Sequence, residues 1–258
     1  MIDLHCHILP GIDDGPADIG ESLDMARQAV LDGIHTVVAT PHSRNGMYVN
    51  SNGDICRQVR EINRVLQDAG VPLVVLSGAE EHIRPDMLHA GMSDHISTLN
   101  NTGRYILVEF PYMTVPHGAR EMLYRMKQRG MTPVLAHPER NAAIQRNIEI
   151  LYPFVESGCL TQITAMSLTG DLGEPAKACA YRMMELRLAH VIASDAHSAG
   201  NRRPKLSSAV AVAAELLGSR QEAENMVIHT PQAIISGQAV HLQDPIKPRK
   251  KKRWFFGI

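Results

Sequence analysis

The sequence predicts one large α/β domain, a parallel barrel with seven strands and therefore one strand–helix unit fewer than the usual eight. Three observations predict it. Short β-branched segments alternate with longer helical patterns along the 258 residues. Glycines follow the first three predicted helices, where C-terminal caps are expected. The chain also shows no division into two halves and no glycine-rich nucleotide motif, which argues against an open doubly wound sheet.

The strands are predicted by short β-branched and apolar runs. They span residues 2–6, 36–40, 73–77, 105–110, 132–136, 160–164 and 190–194. Helices are predicted between and after them, over residues 19–32, 55–69, 118–129, 148–156, 175–188, 204–217, 220–227 and 231–235. This alternation indicates parallel strands joined by right-handed crossovers.

Composition indicates a globular protein, with 44% apolar and 21% charged residues. No apolar run reaches the roughly 20 residues that span a membrane, and the first residues do not resemble a secretory signal, so a cytoplasmic protein is expected. Four scattered cysteines without a C-x-x-C pair fit a reducing compartment. We predict a catalytic domain over residues 1–243 and a tail over residues 244–258. The reason is that six cations in residues 247–253 make the tail basic and leave the rest of the chain acidic.

Imidazole and carboxylate side chains follow six of the seven predicted strands. Side chains two apart on a strand point to the same side, so His5 and His7 can direct two imidazoles at one point. The other candidates near strand ends are Asp13, Asp14, His42, Glu80, Glu81, Glu109, His137, Glu139, Asp195 and His197. Asp13 alone also suits the ordinary role of a helix N-cap.

In barrels, the ends of the strands meet at one mouth. Closely packed carboxylates repel one another unless a cation or a proton intervenes, so a cluster of two or three metal ions is predicted. Mixed imidazole and carboxylate ligands suit manganese, iron or zinc. Arg140 and Arg202 lie on loops leaving ligand-bearing strands, where guanidinium groups can hold phosphate oxygens. A phosphate ester is therefore the favoured substrate class.

These motifs resemble the polymerase-and-histidinol-phosphatase (PHP) superfamily, and within it the manganese-dependent protein-tyrosine phosphatases of bacterial capsule and exopolysaccharide clusters. The motifs are M-I-D-L-H-C-H-I-L-P-G-I-D-D-G, A-T-P-H, G-A-E-E, V-E-F-P, L-A-H-P-E-R-N and S-D-A-H. The resemblance extends from Met1 to beyond Arg202 and implies a distorted seven-stranded barrel, the PHP fold.

The resemblance also implies a trinuclear site. It places His5, His7, Glu80 and Asp195 around one metal, Glu80, Glu109 and His137 around a second, and Asp14, His42 and His197 around a third. Arg140 and Arg202 match the positions expected to contact phosphate. Glu81 could replace Glu80 as the bridging ligand, and Arg203 beside Arg202 leaves a similar one-residue ambiguity.

The expected reaction is attack by metal-bound hydroxide on phosphotyrosine, since metal coordination lowers the pKa of water to about 7. No cysteine is followed six residues later by arginine, which excludes the usual cysteine-dependent tyrosine phosphatase motif. Cys6 lies between His5 and His7 and should point away from the metals. A small-molecule phosphatase of the histidinol-phosphate type, a PHP-type nuclease and a non-enzymatic phosphotyrosine docking module remain alternatives, although the acidic body disfavours nucleic acid.

The expected partner is the phosphorylated C-terminal tail of a bacterial tyrosine kinase. Residues 247–258 combine basic and aromatic side chains and could attach the protein to an anionic inner membrane surface. A disordered, solubilising end is the alternative, and the sequence leaves the oligomeric state open.

Overall fold

Parallel strands form the centre of the molecule. The computed structural model describes residues 1–88, 96–241 and 243–248. The strands are β1 Ile2–Cys6, β2 Thr36–Ala39, β3 His42–Ser43, β4 Val74–Ser77, β5 Glu80–His82, β6 Tyr105–Glu109, β7 Thr132–Ala136, β8 Leu160–Thr164 and β9 Val191–Ala193. They hydrogen-bond in two groups, β1-β2-β4 and β3-β5-β6-β7-β8-β9.

The two groups connect into a ring. Only two residues separate β2 from β3, and only two separate β4 from β5, so each pair is one interrupted strand. At the other junction, the backbone N–H of Asp195 donates to the carbonyl of His5, and that of His7 donates to the carbonyl of Ala196, both at 2.8 Å. The last strand thus adjoins the first. This arrangement confirms the predicted distorted seven-stranded α/β fold.

The interrupted strands differ in detail from the prediction. His42 and Glu80 were expected in loops after their strands, but each begins a short strand of its own, and the two residues are paired in register. The interruptions at Thr40-Pro41 and Gly78-Ala79 separate these short strands from β2 and β4. Proline lacks the N–H that a continuous strand needs, and at Gly78 a Cβ would lie 2.8 Å from a Val38 methyl.

The helices lie close to their predicted positions. They are α1 Ile19–Leu31, α2 Asn52–Asp68, α3 Ala119–Gln128, α4 Ala142–Arg146, α5 Tyr152–Glu156, α6 Ala165–Thr169, α7 Glu174–Glu185, α8 Ser207–Leu217, α9 Arg220–Asn225 and α10 His229–Ile235. The predicted helix over residues 148–156 is a 3₁₀ turn followed by α5, with Pro153 in the first turn of α5. The short helices α4 and α6 were not predicted. Within the described residues, no helix is long and apolar enough to cross a membrane.

The strands separate two apolar regions. Side chains inside the ring pack together at the end where the strands begin, among them Leu4, Val38, Leu107 and Val134. The larger region lies between the strands and the surrounding helices. Near the end where the strands finish, the interior changes from apolar to charged, and this is the end that bears the predicted ligands.

Candidate metal centre

A local irregularity in β1 turns two histidines toward the interior. The pairing of β1 with β2 shifts register between Asp3 and Cys6. Leu4 packs inside the ring, whereas Cys6 packs in the outer region. His5 and His7 then flank Cys6, are fully buried, and bring their Nε2 atoms within 3.2 Å of each other. Cys6 therefore points away from the centre, as predicted.

The other nitrogen of each imidazole is held by an acceptor. His5 Nδ1 lies 2.9 Å from Oε1 of Gln162, and His7 Nδ1 lies 2.6 Å from Oδ2 of Asp13. The backbone N–H of His137 also donates to Gln162 Oε1, at 3.3 Å, which supports the assignment of that atom as oxygen. Because both acceptors hold a proton on Nδ1, each imidazole in its neutral, metal-binding form directs its Nε2 lone pair toward the centre.

Glu80 occupies the middle of the site. Its Oε2 atom lies 3.5 Å from Nε2 of both His5 and His7 and 3.0 Å from Nδ1 of His42. Its Oε1 atom lies 2.7 Å from His137 Nε2. A carboxylate with histidines on both oxygens has the position of a bridging ligand.

A second carboxylate lies beside this part of the site. Glu109 Oε2 is 4.0 Å from His42 Nδ1 and 3.4 Å from His82 Nδ1. Ligand atoms of His42, Glu80 and Glu109 fall within 4.8 Å of one another. The resemblance implied His137 rather than His42 in this set, and in the structure both imidazoles contact Glu80.

A further group lies nearer the surface. Asp14 Oδ1 is 3.3 Å from His197 Nε2 and 3.5 Å from His42 Nε2. These are the three side chains that the resemblance placed around the third metal. Asp14 is partly exposed, so this group lies on the solvent side of the centre.

Asp195 and His137 adopt unusual backbone conformations as they leave their strands. Their φ angles are positive, at 51° and 29° respectively. Such strain in residues other than glycine is frequent at functional sites. The resulting turn places Asp195 Oδ1 3.4 Å from His5 Nε2 and 3.6 Å from His7 Nε2.

Both predicted arginines reach Asp195. Arg202 Nη2 lies 2.7 Å from Asp195 Oδ2, and Arg140 Nη1 contacts the same oxygen. A guanidinium carries five N–H donors, so pairing with one carboxylate leaves donors for another anion. The neighbouring Glu139 has a buried carboxylate that accepts from Thr164 N at 2.9 Å and Ser167 Oγ at 2.7 Å, which ties the loop after β7 to the end of β8 and to α6.

The charged groups of the site raise the pKa values of His5 and His7 and lower those of Glu80 and Asp195. Burial alone would lower the pKa of His7, but Asp13 and Glu80 raise it to about 10. Burial likewise opposes the protonation of His5, yet Glu80 and Asp195 raise its pKa. For Glu80 and Asp195, burial favours the neutral form. The surrounding histidines nevertheless hold both pKa values well below the usual range, and at Asp195 the two arginines add to this effect. Protons and cations therefore compete for the same imidazole nitrogens.

The structure shows which residue of each ambiguous pair, Glu80 or Glu81 and Arg202 or Arg203, lies at the site. Glu81 turns away from the centre, since it pairs with Arg84 at 2.9 Å and accepts from Ser97 N at 3.1 Å. Arg203 lines a cleft beside Met166 rather than reaching Asp195. Glu80 and Arg202 are thus the members of each pair that lie at the site.

Sequence reasoning missed two positioning groups. The proposed helix N-cap at Asp13 is wrong: Asp18 caps α1, whereas Asp13 accepts from His7 Nδ1, Gly15 N and His42 N. Gln162 was overlooked because β8 is the one predicted strand without an acidic or imidazole end. The lack of such a residue on this one strand was itself a signal that another polar side chain there faces the centre, since every strand of the ring faces the same centre.

The donors fit divalent cations. The atoms His5 Nε2, His7 Nε2 and Glu80 Oε2 are 3.2–3.5 Å apart, the size of one face of a coordination polyhedron with bonds of about 2.1–2.2 Å. In addition, His42 Nδ1 is buried and lies 3.0 Å from Glu80 Oε2, but its geometry is not that of a hydrogen bond among the described residues. Imidazole and carboxylate ligands without thiolate suit manganese, iron or zinc.

The fold and these donors define a parallel-stranded α/β protein with groups of side chains that could hold metal ions at the mouth of the strands. The chain belongs to the CpsB/CapC family of capsular polysaccharide synthesis, whose model matches residues 1–236.

Relatives named tyrosine-protein phosphatases match over nearly the whole chain. The tyrosine-protein phosphatase YwqE of Bacillus subtilis (strain 168) is 39% identical over 255 residues, with 99% of both chains covered. The tyrosine-protein phosphatase CpsB of Streptococcus pneumoniae is 31% identical over 245 residues, covering 93% of this chain and all of the relative.

Solved structures agree with the fold. A chain from the crystal structures of YwqE and CpsB, described as unique metal-dependent tyrosine phosphatases, superposes with a TM-score of 0.92 at 38% identity, covering 97% of this chain and 100% of that one. The phosphotriesterase homology protein of Escherichia coli superposes with a TM-score of 0.60 at 12% identity, covering 91% and 98%. The second match supports the fold alone.

Proposed function

We propose that this protein is a metal-dependent tyrosine-protein phosphatase that acts on a tyrosine kinase regulating capsule or exopolysaccharide synthesis. One observation carries the proposal: all nine predicted ligands and both predicted arginines meet at one end of the strands. Relatives that align from end to end are named tyrosine-protein phosphatases, and the similar solved structures are described as metal-dependent.

The proposed ligands fall into three overlapping sets. His5, His7, Glu80 and Asp195 would hold one ion, Glu80, Glu109 and His137 a second, and Asp14, His42 and His197 a third. We propose manganese as the metal, with iron and zinc as the alternatives that this donor chemistry allows. When bound, the ions supply an activated water as nucleophile and positive charge for the phosphoryl oxygens.

The protein's own residues orient this chemistry. Gln162 and Asp13 fix the tautomers of His5 and His7, so that lone pairs rather than N–H groups face the ions. Arg140 and Arg202 would bind the phosphate and offset charge on the equatorial oxygens of the transferring phosphoryl group. Tyrosine is a good leaving group for this arrangement because its phenol has a pKa of about 10.

The cysteines have the wrong environment for a nucleophile. Burial raises the pKa of the Cys6 thiol well above its usual value, and it raises that of Cys159 to about 11 and that of Cys179 to about 12. Reactive cysteines instead have low pKa values and exposed thiolates. Cys56, partly exposed, lies on α2.

Phosphate release tests the proposal. A phosphotyrosine peptide from a kinase tail, histidinol phosphate and buffer alone are compared with purified protein, before and after chelation. We expect phosphate from the peptide, loss of turnover on chelation and recovery with manganese. Faster release from histidinol phosphate would favour the small-molecule phosphatase. Binding of the peptide without release of phosphate would favour the docking module.

The basic tail stays a separate proposal. Residues 249–258 lie outside the described residues, so the structure bears on only the start of this segment. Six cations near an anionic membrane would each contribute about 1 kcal/mol, which would bring the protein close to a membrane-bound kinase. Co-sedimentation with anionic liposomes should therefore fall when residues 247–258 are deleted, and unchanged co-sedimentation would contradict membrane attachment.

A further inference from the structure

Apolar side chains are exposed on the face that carries the metal centre. Val49 is 80% exposed, Met47 77%, Tyr112 65% and Met113 57%. Apart from Leu31, these are the most exposed large apolar side chains in the part of the chain that the structure describes. We call these four residues the apolar rim. Single exposed apolar residues are ordinary, but a concentration on one face indicates an interaction site.

Both segments of the apolar rim follow ligand-bearing strands. Met47 and Val49 lie between β3, which begins with His42, and α2. Tyr112 and Met113 follow β6, which ends with Glu109. They therefore lie at the end of the barrel where substrates reach the centre.

The rim also adjoins the site directly. Between Met47 and Val49, the ring of Tyr48 stacks on the imidazole of His42, with centroids 6.0 Å apart and planes 6° from parallel. On the other side, Tyr112 lines a small cavity together with Glu109, His137 and Arg140. One rim segment thus borders a metal-ligand histidine, and the other borders a candidate phosphate-binding arginine.

Hydrogen bonds hold both segments in place. Asn45 Oδ1 accepts from the backbone N–H groups of Met47 at 3.0 Å and Tyr48 at 2.9 Å. The carbonyl of Tyr112 accepts from Ala142 N at 2.9 Å. A surface held in one conformation loses less entropy on binding than a mobile loop does.

We propose that the apolar rim is a docking subsite for apolar side chains that flank the phosphotyrosine of a polypeptide substrate. This inference rests on the proposed function. With the phosphate held at Arg140 and Arg202, the tyrosine ring must extend toward the mouth, and the adjoining residues of the polypeptide must cross the loops there. A small alkyl phosphate has no groups that reach this far, so the rim would favour protein substrates.

The test compares two substrates on each variant. One is a phosphotyrosine peptide with apolar residues on both sides, and the other is p-nitrophenyl phosphate, which has no flanking residues. The quantity to measure is kcat/KM for the peptide divided by kcat/KM for p-nitrophenyl phosphate. We expect Met47→Ser and Tyr112→Ser each to lower this ratio about fivefold to tenfold, because that is the effect of losing a moderate interface contact. The loss should appear mainly in KM, because flanking contacts are present before and during phosphoryl transfer.

Matched controls come from exposed apolar residues elsewhere. Leu31 lies at the end of α1 and is 86% exposed, and Val74 begins β4 and is 52% exposed. Leu31→Ser and Val74→Ser also remove exposed apolar surface and should leave the ratio unchanged. A second peptide with glycine and serine flanks should lose the advantage over p-nitrophenyl phosphate even with the unchanged protein.

Different results distinguish the two levels of the proposal. If the unchanged protein releases no phosphate from either aryl ester, the proposed function fails. If it hydrolyses the peptide but the rim variants keep the same ratio, the docking subsite is wrong. Rim variants that instead change the oligomeric state, with no change in the ratio, would identify the apolar rim as a contact between copies of this chain and would also overturn the proposal.

Discussion

Two buried histidines at opposite ends of the barrel show how the surroundings decide what a side chain does. His7 lies where the strands finish, and carboxylates raise its pKa to about 10. His190 lies just before β9 at the other end, where burial without an ionic partner lowers its pKa to about 4. Its Nδ1 accepts from Thr161 N at 2.9 Å. The end of the barrel where the strands begin, here called the amino end, therefore tolerates only the neutral imidazole. The end where the strands finish, here called the charged end, attracts positive charge, whether protons or metal ions.

The largest effect should follow removal of a ligand at the charged end. For His197→Ala, we expect kcat to fall by about three orders of magnitude or more, because an ion that stabilises several kcal/mol of transition-state charge is lost or displaced. His117→Ala is the matched control, since His117 is an exposed histidine on the β6–α3 connection. Steady-state kinetics with circular dichroism would check this. Near-normal turnover by folded His197→Ala would show that Asp14 and His42 suffice without the imidazole of His197.

Acid should destabilise the amino end through His190. Its folded pKa is lowered from 6.5 to about 4, so its contribution to stability is present above pH 6.5 and is lost as the pH falls toward 4. The loss is on the order of 3 kcal/mol. In urea unfolding of the metal-free protein, His190→Gln should remove much of the decline between pH 6.5 and 4.

At the charged end, stability changes with pH in the opposite direction. Since the pKa of His7 is raised, its stabilising contribution in the metal-free protein is present below pH 6.5 and is lost as the pH rises toward about 10. Bound metal ions replace these protons, so loading with manganese should flatten the alkaline decline. An equal decline with and without metal would contradict competition between protons and cations at His7.

A smaller effect should follow loss of the amide that orients His5. Gln162→Met removes the acceptor for His5 Nδ1 and should weaken manganese binding about 10- to 100-fold, as other losses of ligand-orienting partners do. Calorimetric titration measures the affinity, and nitrogen NMR of the imidazole reports the tautomer. Gln162→Glu keeps an acceptor and should retain the tautomer. Unchanged affinity in Gln162→Met would show that β1 alone orients His5.

The smallest effect is expected at Cys6. Cys6→Ser leaves the metal-facing side chains unchanged, so kcat should stay within about twofold, although burying a hydroxyl costs about 1–3 kcal/mol of stability. Kinetics and thermal unfolding measured together separate these two effects. A loss of kcat without a loss of folded protein would implicate the thiol in catalysis.

The sequence predicted the strands, and the imidazole and carboxylate side chains that meet at their ends, because both depend on local patterns. A β-branched run predicts a strand, and a polar residue at its end is visible without a structure. The partners of those residues were harder to find, since Gln162 lies 157 positions from His5 and their contact depends on how the ring closes. Asp13 was misassigned because an aspartate before a helix usually caps it. The shared pairing of Arg140 and Arg202 with Asp195 depends on the positive φ of Asp195, which no local pattern indicates.

The charged end of the barrel is proposed to bind several metal ions at once. A crystal structure of the protein grown with manganese, with anomalous diffraction recorded at the manganese edge, tests it most directly. We expect two or three anomalous peaks within bonding distance of His5, His7, Asp14, His42, Glu80, Glu109, His137, Asp195 and His197. A map without peaks at these residues, or with manganese bound only elsewhere, would contradict it.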